Sequence, residues 1–200
     1  MTLLILGSQS PRRREILSAF SIPFKQASPP FIEESVAFKE EPINSNPITY
    51  VSTLSRGKAL SLAAQFSHLP ILAADSIVFI EDQLYEKPKD LEDAFNLLMH
   101  LQGKWHSVFT GVTVLKGHEE YTAVEETRVL FNPLTPAQAR IYHANTVWAD
   151  KSGGYGIQSA GGLLVRKIEG CYNNVMGLPV NVVRELLLKV GIDLWDYIKP

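Results

Sequence analysis

The stretch Leu3-Leu4-Ile5-Leu6-Gly7-Ser8-Gln9-Ser10-Pro11-Arg12-Arg13 reads as strand, tight turn and helix. Four aliphatic residues suit a buried strand. Gly7 permits the turn. Ser10 can cap the helix, and Pro11 suits its first position, where no amide partner is needed. The helix continues amphipathic from Glu15 to Phe20. Its N-terminus aims unpaired N–H groups at the turn, which favours an anion. Ser8, Ser10, Arg12 and Arg13 crowd the same place, and arginine forks match phosphate oxygens two at a time. The simplest ligand is a polyphosphate. The plainer reading is a capped surface helix with solvated arginines. No G-x-x-x-x-G-K-[ST] loop occurs, so this is not a Walker A site.

Working outward, Asn46-Pro47 predicts a capped helix to about Phe66 with the apolar stripe Val51, Leu54, Leu62 and Phe66. Lys58 lies in that stripe, four residues from both Leu54 and Leu62, and either snorkels to the edge or reaches a site. Ile71 to Ile80 is an apolar, β-branched-rich run, expected as a central strand buried on both faces. Asp75 interrupts it. A buried carboxylate needs a partner, a metal or a proton, because desolvating it alone costs several kcal/mol. A strand Gln83 to Tyr85 leads to Glu86-Lys87-Pro88. Asp90 caps a helix whose stripe is Leu91, Ala94, Phe95, Leu98 and Leu101, ended by Gly103.

Trp105 to Leu115 and Tyr121 to Phe131 predict an antiparallel pair around a turn at Lys116 to Glu120. The alternation in the second is imperfect, so the register stays open. Thr135-Pro136 begins a helix to about His143. Ser152 to Gln158 reads as a glycine-rich turn into a short strand, a loop that lets backbone approach a ligand. Asn173 to Pro179 leads to a final helix through Lys189. This order implies an α/β (mixed α+β) fold, with helices on both faces of a sheet that carries an inserted antiparallel layer.

Two hundred residues suit one domain, taken as residues 1–200, or two small lobes sharing a cleft. A net charge of −2 argues against a nucleic-acid-binding surface. The single cysteine, Cys171, forms no internal disulfide and fits a reducing, cytoplasmic setting. No signal pattern and no membrane span is read. The histidines lack metal-ligand spacing, and no H-E-x-x-H or G-x-S-x-G motif occurs. What remains has one theme. Arg12, Arg13, Lys58 and Lys87 suit a polyphosphate. Asp75, with Glu33 or Glu34 or both, suits Mg²⁺, which takes one or two carboxylates plus substrate phosphates.

Taken together, S-x-S-P-R-R at residues 8–13, Gly57-Lys58-Ala59, Ala74-Asp75-Ser76-Ile77-Val78, Glu86-Lys87-Pro88, Gly154-Tyr155-Gly156-Ile157-Gln158 and Val175-Met176-Gly177-Leu178-Pro179 resemble the Maf family of nucleoside triphosphate pyrophosphatases. The resemblance runs from about residue 3 to residue 190. It implies a Maf/ITPase-like fold, with a central mixed sheet, flanking helices and two lobes around a deep cleft. It implies hydrolysis of a nucleoside triphosphate to the monophosphate and pyrophosphate with a divalent cation, Mg²⁺ or Mn²⁺. Asp75 matches the proton acceptor and a metal ligand, with Glu34 or Glu33 as the second. Arg12, Ser76 and Gln158 match positions tied to base selectivity, and Ser8, Arg13, Lys58 and Lys87 the phosphate-binding set. Tyr-Gly-Ile-Gln resembles the dTTP/UTP branch. The alternatives are the same reaction on 7-methyl-GTP and a nucleotide-sensing division inhibitor. Departures are Ser76 for threonine, Ser159 for glycine and Cys171 for serine. A homodimer is expected.

Overall fold

The computed structural model describes residues 3–31 and 46–198. In chain order the elements are β1 (Leu4–Gly7), α1 (Pro11–Ser18), β2 (Phe24–Ala27), α2 (Pro47–Ala63), β3 (Ile71–Ile80), β4 (Gln83–Tyr85), α3 (Leu91–Leu101), β5 (Trp105–Lys116), β6 (Glu119–Phe131), α4 (Pro136–Asn145), β7 (Val165–Glu169), α5 (Tyr172–Val175) and α6 (Val180–Lys189). Seven strands form one mixed sheet in the order β2-β1-β3-β5-β6-β7, with β4 added to β3. β2, β1 and β3 run parallel, whereas β3, β5, β6 and β7 pair antiparallel. This is the expected α/β sheet with an antiparallel layer.

β3 is central and continuous through Asp75, and eight of its ten residues are buried. On one flank it pairs with β5 from Ile71↔Leu115 to Phe79↔Ser107. On the other, β1 covers only Ile71 to Ala73 and β4 only Val78 to Ile80. The ladder is therefore open from Ala74 to Ile77. Main-chain groups in such a gap need other partners. The gap also lies just past the carboxyl end of β1, where α/β sheets place their ligands.

Alternation along β3 decides which way each side chain faces. Ile71 and Ala73 cluster with Ala59 and Leu62 of α2, and Ile77 with Val51 and Leu54. Leu72 and Ala74 cluster with Ile16 and Leu17 of α1 and Val183 and Leu187 of α6. Asp75 shares the α2 face, and Ser76 the opposite one. The close seat of α2 depends on Gly111, which pairs with Asp75 in register. A Cβ there would lie 2.2 Å from the Val51 carbonyl oxygen, so any side chain would push the helix off the sheet. Ser55 and Thr113 hydroxyls share a 3.0 Å hydrogen bond across the same contact.

Several local expectations change. α2 ends at Ala63, so Phe66 lies beyond it, half-buried beside the Ile5–Ile71 cluster. α3 buries Ala94, Leu97, Leu98 and Leu101. Leu91 continues that face one turn earlier but is 53% exposed, because no described residue covers it. The β5–β6 register runs from Trp105↔Leu130 to Lys116↔Glu119, which leaves a two-residue turn, Gly117-His118, rather than five residues. Among the described residues, no strand directly follows the glycine-rich turn. Ser152–Gly154 and Ser159–Leu163 are short 3₁₀ turns, and the strand comes later as β7. Side chains of α4 occupy the main-chain groups a strand would have used: the Gly156 amide donates to the Tyr142 hydroxyl (3.1 Å), and His143 Nε2 meets the Gly154 carbonyl (3.2 Å).

Candidate active site

A cleft of about 470 Å³ opens over the unpaired part of β3. Its walls include Ser8, Arg12, Arg13, Lys58, Asp75, Ser76, Lys87 and Gln158. Every site residue read from the sequence is thus in one place, except Glu33 and Glu34, which lie outside the described residues. Five separated segments supply them, and the topology explains how: the gap in β3 faces both the β1–α1 turn and the α2 helix.

The β1–α1 turn is built as its sequence requires. Ser10 accepts from the Arg13 amide (3.4 Å), and the Ser8 hydroxyl accepts from the Ser10 amide (3.2 Å). Gln26 holds the Ser8 carbonyl at 2.6 Å. Among the described residues, the Gln9 and Arg12 amides have no protein acceptor, and both residues line the cleft. Such amides at a helix N-terminus suit a phosphate oxygen.

The two arginines do different work. Arg13 binds the open ladder itself: its Nη1 donates to the Ala74 carbonyl (2.7 Å) and to Ser8 Oγ (3.2 Å), and its Nη2 to Ser76 Oγ (3.0 Å). Its Nε donates to the Gly177 carbonyl at 2.7 Å, in a turn whose φ of +103° only glycine adopts readily. Arg13 is therefore a strut as well as a lining residue. Arg12 turns the other way, donating to Asp150 Oδ2 (2.7 Å) and to the Asp150 carbonyl (3.0 Å).

Asp75 is 9% exposed. Its Oδ1 is ion-paired with Lys58 Nζ. Its other oxygen has no hydrogen-bond partner among the described residues. Ser76 shares a 2.8 Å hydrogen bond with Thr110 on the neighbouring strand, and its carbonyl accepts from Ser152 (2.7 Å). Lys87 and Gln158 make no side-chain hydrogen bond among the described residues.

Sequence reasoning gave no role to Glu86, whose carboxylate accepts from the Tyr50 hydroxyl at 2.5 Å, quoted Tyr155 in a motif without giving it a role of its own, and missed Asp150 and Lys151 altogether. Lys151 donates to Asp150 Oδ1 (2.7 Å) and to the Val147 carbonyl (2.5 Å). Burial works against ionisation of Asp150, but the Lys151 hydrogen bond and the Arg12 charge outweigh it and hold its carboxyl below the usual range. An acid–base pair directly before a glycine-rich turn was the available signal. Tyr155 is buried beneath the loop. Its hydroxyl shares a 2.7 Å hydrogen bond with His106 Nε2, and its ring stacks edge-on against Phe131. Burial pushes the His106 imidazole down to about 4.

In all, five basic and three acidic side chains of the described residues line the cleft: Arg12, Arg13, Lys58, Lys87 and Lys151 against Asp75, Glu86 and Asp150. The excess is cationic in a protein that is slightly acidic overall. No group of three or more His, Cys, Asp or Glu among the described residues is placed to hold a metal by itself. A magnesium site shared with a phosphate chain does not require one, and the hard oxygen of Asp75 fits such a site.

A mixed sheet with a cationic cleft at its ladder gap and an ion-paired aspartate on the central strand defines the class: the model of the family described as Maf-like protein matches residues 3–190, and the chain belongs to that family. A particular relative, the dTTP/UTP pyrophosphatase of Chlamydia felis, is 40% identical over 98% of this chain and 97% of its own. The dTTP/UTP pyrophosphatase of Thermosipho melanesiensis is 39% identical over 92% of this chain and 96% of its own. The Staphylococcus aureus Ham1 protein structure covers 65% of this chain, with 72% of its own covered, at TM-score 0.42 and 10% identity, a likeness too distant to bear on the chemistry. No helix among the described residues is long and apolar enough to cross a membrane.

Proposed function

We propose that the protein hydrolyses dTTP and UTP to the nucleoside monophosphate and pyrophosphate. Family membership and the names of full-length relatives support this reading. The observation that carries it is the placement of Asp75: a shielded carboxylate on an open strand edge, paired with Lys58, in a cleft with a cationic excess. The cleft volume falls within the roughly 300–1,000 Å³ range of small-molecule sites.

In the proposed reaction, water attacks the α-phosphorus and the bond to the bridging oxygen breaks. Pyrophosphate leaves with the electron pair, and the water proton passes to Asp75 through its unpartnered oxygen. Lys58 fixes the carboxylate's other oxygen and so its orientation. Lys87 and the amides of Gln9 and Arg12 offer donors to phosphate oxygens. Arg13 keeps Ser8, Ser76 and the Gly177 turn in register beneath them. Fixed charges of this kind stabilise the transition state more than the ground state. Asp75, with Glu34 or Glu33 as a second carboxylate, would hold Mg²⁺ or Mn²⁺, which when bound neutralises phosphate charge and acidifies a water. Gln158 offers both a donor and an acceptor to a pyrimidine edge, and Arg12 and Ser76 complete that reading.

We read residues 1–200 as one domain, since the apolar clusters of the described residues all pack on a single sheet. A cytoplasmic setting accords with the lone cysteine, the lack of nucleic-acid partners with the small net charge, and a homodimer with the family resemblance. The test is release of pyrophosphate from a panel of triphosphates, including dTTP, UTP and 7-methyl-GTP, with Mg²⁺ and Mn²⁺ compared. Preference for dTTP and UTP is expected. Preference for 7-methyl-GTP, or nucleotide binding without turnover, would contradict the reading.

A further inference from the structure

We infer that Asp150 is a positioning residue for substrate selectivity, acting through Arg12. This rests on the reading that the cleft takes a pyrimidine nucleoside triphosphate. Arg12 lies in the first turn of α1, and Gln158 lies in the glycine-rich loop, 146 positions further along the chain. Nothing local holds these two in register. Asp150 does so: its side chain and its own carbonyl both accept from the Arg12 guanidinium, a two-point attachment that fixes distance and plane. The attachment uses two of the five N–H groups of Arg12, and the other three have no partner among the described residues. They are available to a ligand in the cleft that Arg12 lines.

Asp150 is itself held. Lys151 engages its second oxygen and the Val147 carbonyl, and its stem packs on Gly156, where a Cβ would lie 2.9 Å from Lys151 Cε. Ser152 ties the loop to the Ser76 carbonyl. Ser76 is thus fixed to the short segment that grips Arg12, and Gln158 follows two residues after the Gly156 on which Lys151 of that segment packs. With opposing charges from Arg12 and Lys151 on its two oxygens, Asp150 stays ionised at neutral pH. Arg13, by contrast, bonds β3 at Ala74 and Ser76 and the Gly177 carbonyl. The two neighbouring arginines therefore divide between loop and sheet, and Arg12 is the one coupled to Gln158.

The test is calorimetric binding of α,β-methylene-UTP and of inorganic tripolyphosphate to wild type, Asp150→Ala, Arg12→Ala and the double variant, with Asp150→Asn as the gentler form. Asp150→Ala is expected to weaken the UTP analogue about tenfold or more and tripolyphosphate less than about twofold. Asp150→Asn should fall between Asp150→Ala and wild type. Adding Asp150→Ala to Arg12→Ala should cost nothing further, because the aspartate acts through the arginine. Equal weakening of both ligands, additive losses, or unchanged binding by Asp150→Ala would overturn the proposal. Should Asp150→Ala fail to fold, Asp150→Asn decides by the same comparison. Wild-type turnover of UTP is measured separately: binding without pyrophosphate release overturns the proposed reaction and leaves the Asp150 coupling standing.

Discussion

Lys58 on α2 is ion-paired with Asp75 on β3, and the two side chains are only 16% and 12% exposed. A lysine in the apolar stripe of a helix and an aspartate in an apolar strand answer one another. Each explains the other's departure from its pattern, since a shielded charge persists only when paired.

Lys58→Met removes the cation and leaves Asp75 shielded without it. Turnover should fall about 10²-fold, as for loss of a single charged group at a reacting centre. Stability should fall by about 1–2 kcal/mol, less than for a fully buried pair because both side chains retain some exposure. Steady-state kinetics and a melting curve check this, and wild-type turnover would refute the role given to the pair.

Gln158→Glu replaces an amide that no described residue holds with a group that only accepts. Activity on UTP and dTTP should drop roughly tenfold, the loss of about one hydrogen bond to the base. Unchanged selectivity across a triphosphate panel would remove Gln158 from base reading.

Ser159 has a φ of +52°, left-handed backbone that costs a non-glycine residue about 1–2 kcal/mol. Ser159→Gly should raise Tm by roughly 1–4 °C, allowing for the added freedom of the unfolded chain. An unchanged or lower Tm would mean that the strain is offset locally.

His106 is 3% exposed, and burial holds its pKa at about 4. The unfolded chain takes up its proton near pH 6.5, whereas the folded protein does so only near 4. Between those values the unfolded state binds more protons, so stability falls as pH falls, by up to about 1.4 kcal/mol per unit from this group. Burial also lowers His143, which adds in the same direction. His106→Gln should flatten the slope of unfolding free energy between pH 6.5 and 4.5. An unchanged slope would show that other groups cause it.

Much of this was legible because local chemistry and tertiary role coincide. Ser10-Pro11 and Asn46-Pro47 cap helices through contacts within three residues. β3 announced itself by apolar density, and Asp75 by breaking it. What stayed hidden depends on distant partners. The gap in the β3 ladder arises because β1 is four residues long and β4 three, which no pattern in β3 itself records. The strand expected after Gly156 is lost to Tyr142 and His143, side chains on another element. The adjacent Lys151 hints at Asp150, but its tie to the site comes from Arg12, 138 positions away.

The most direct test is Asp75→Asn, with pyrophosphate release from UTP and binding of α,β-methylene-UTP measured on the same protein. The account predicts a loss of turnover of at least about 10²-fold with binding within roughly threefold of wild type. Turnover close to wild type would contradict it.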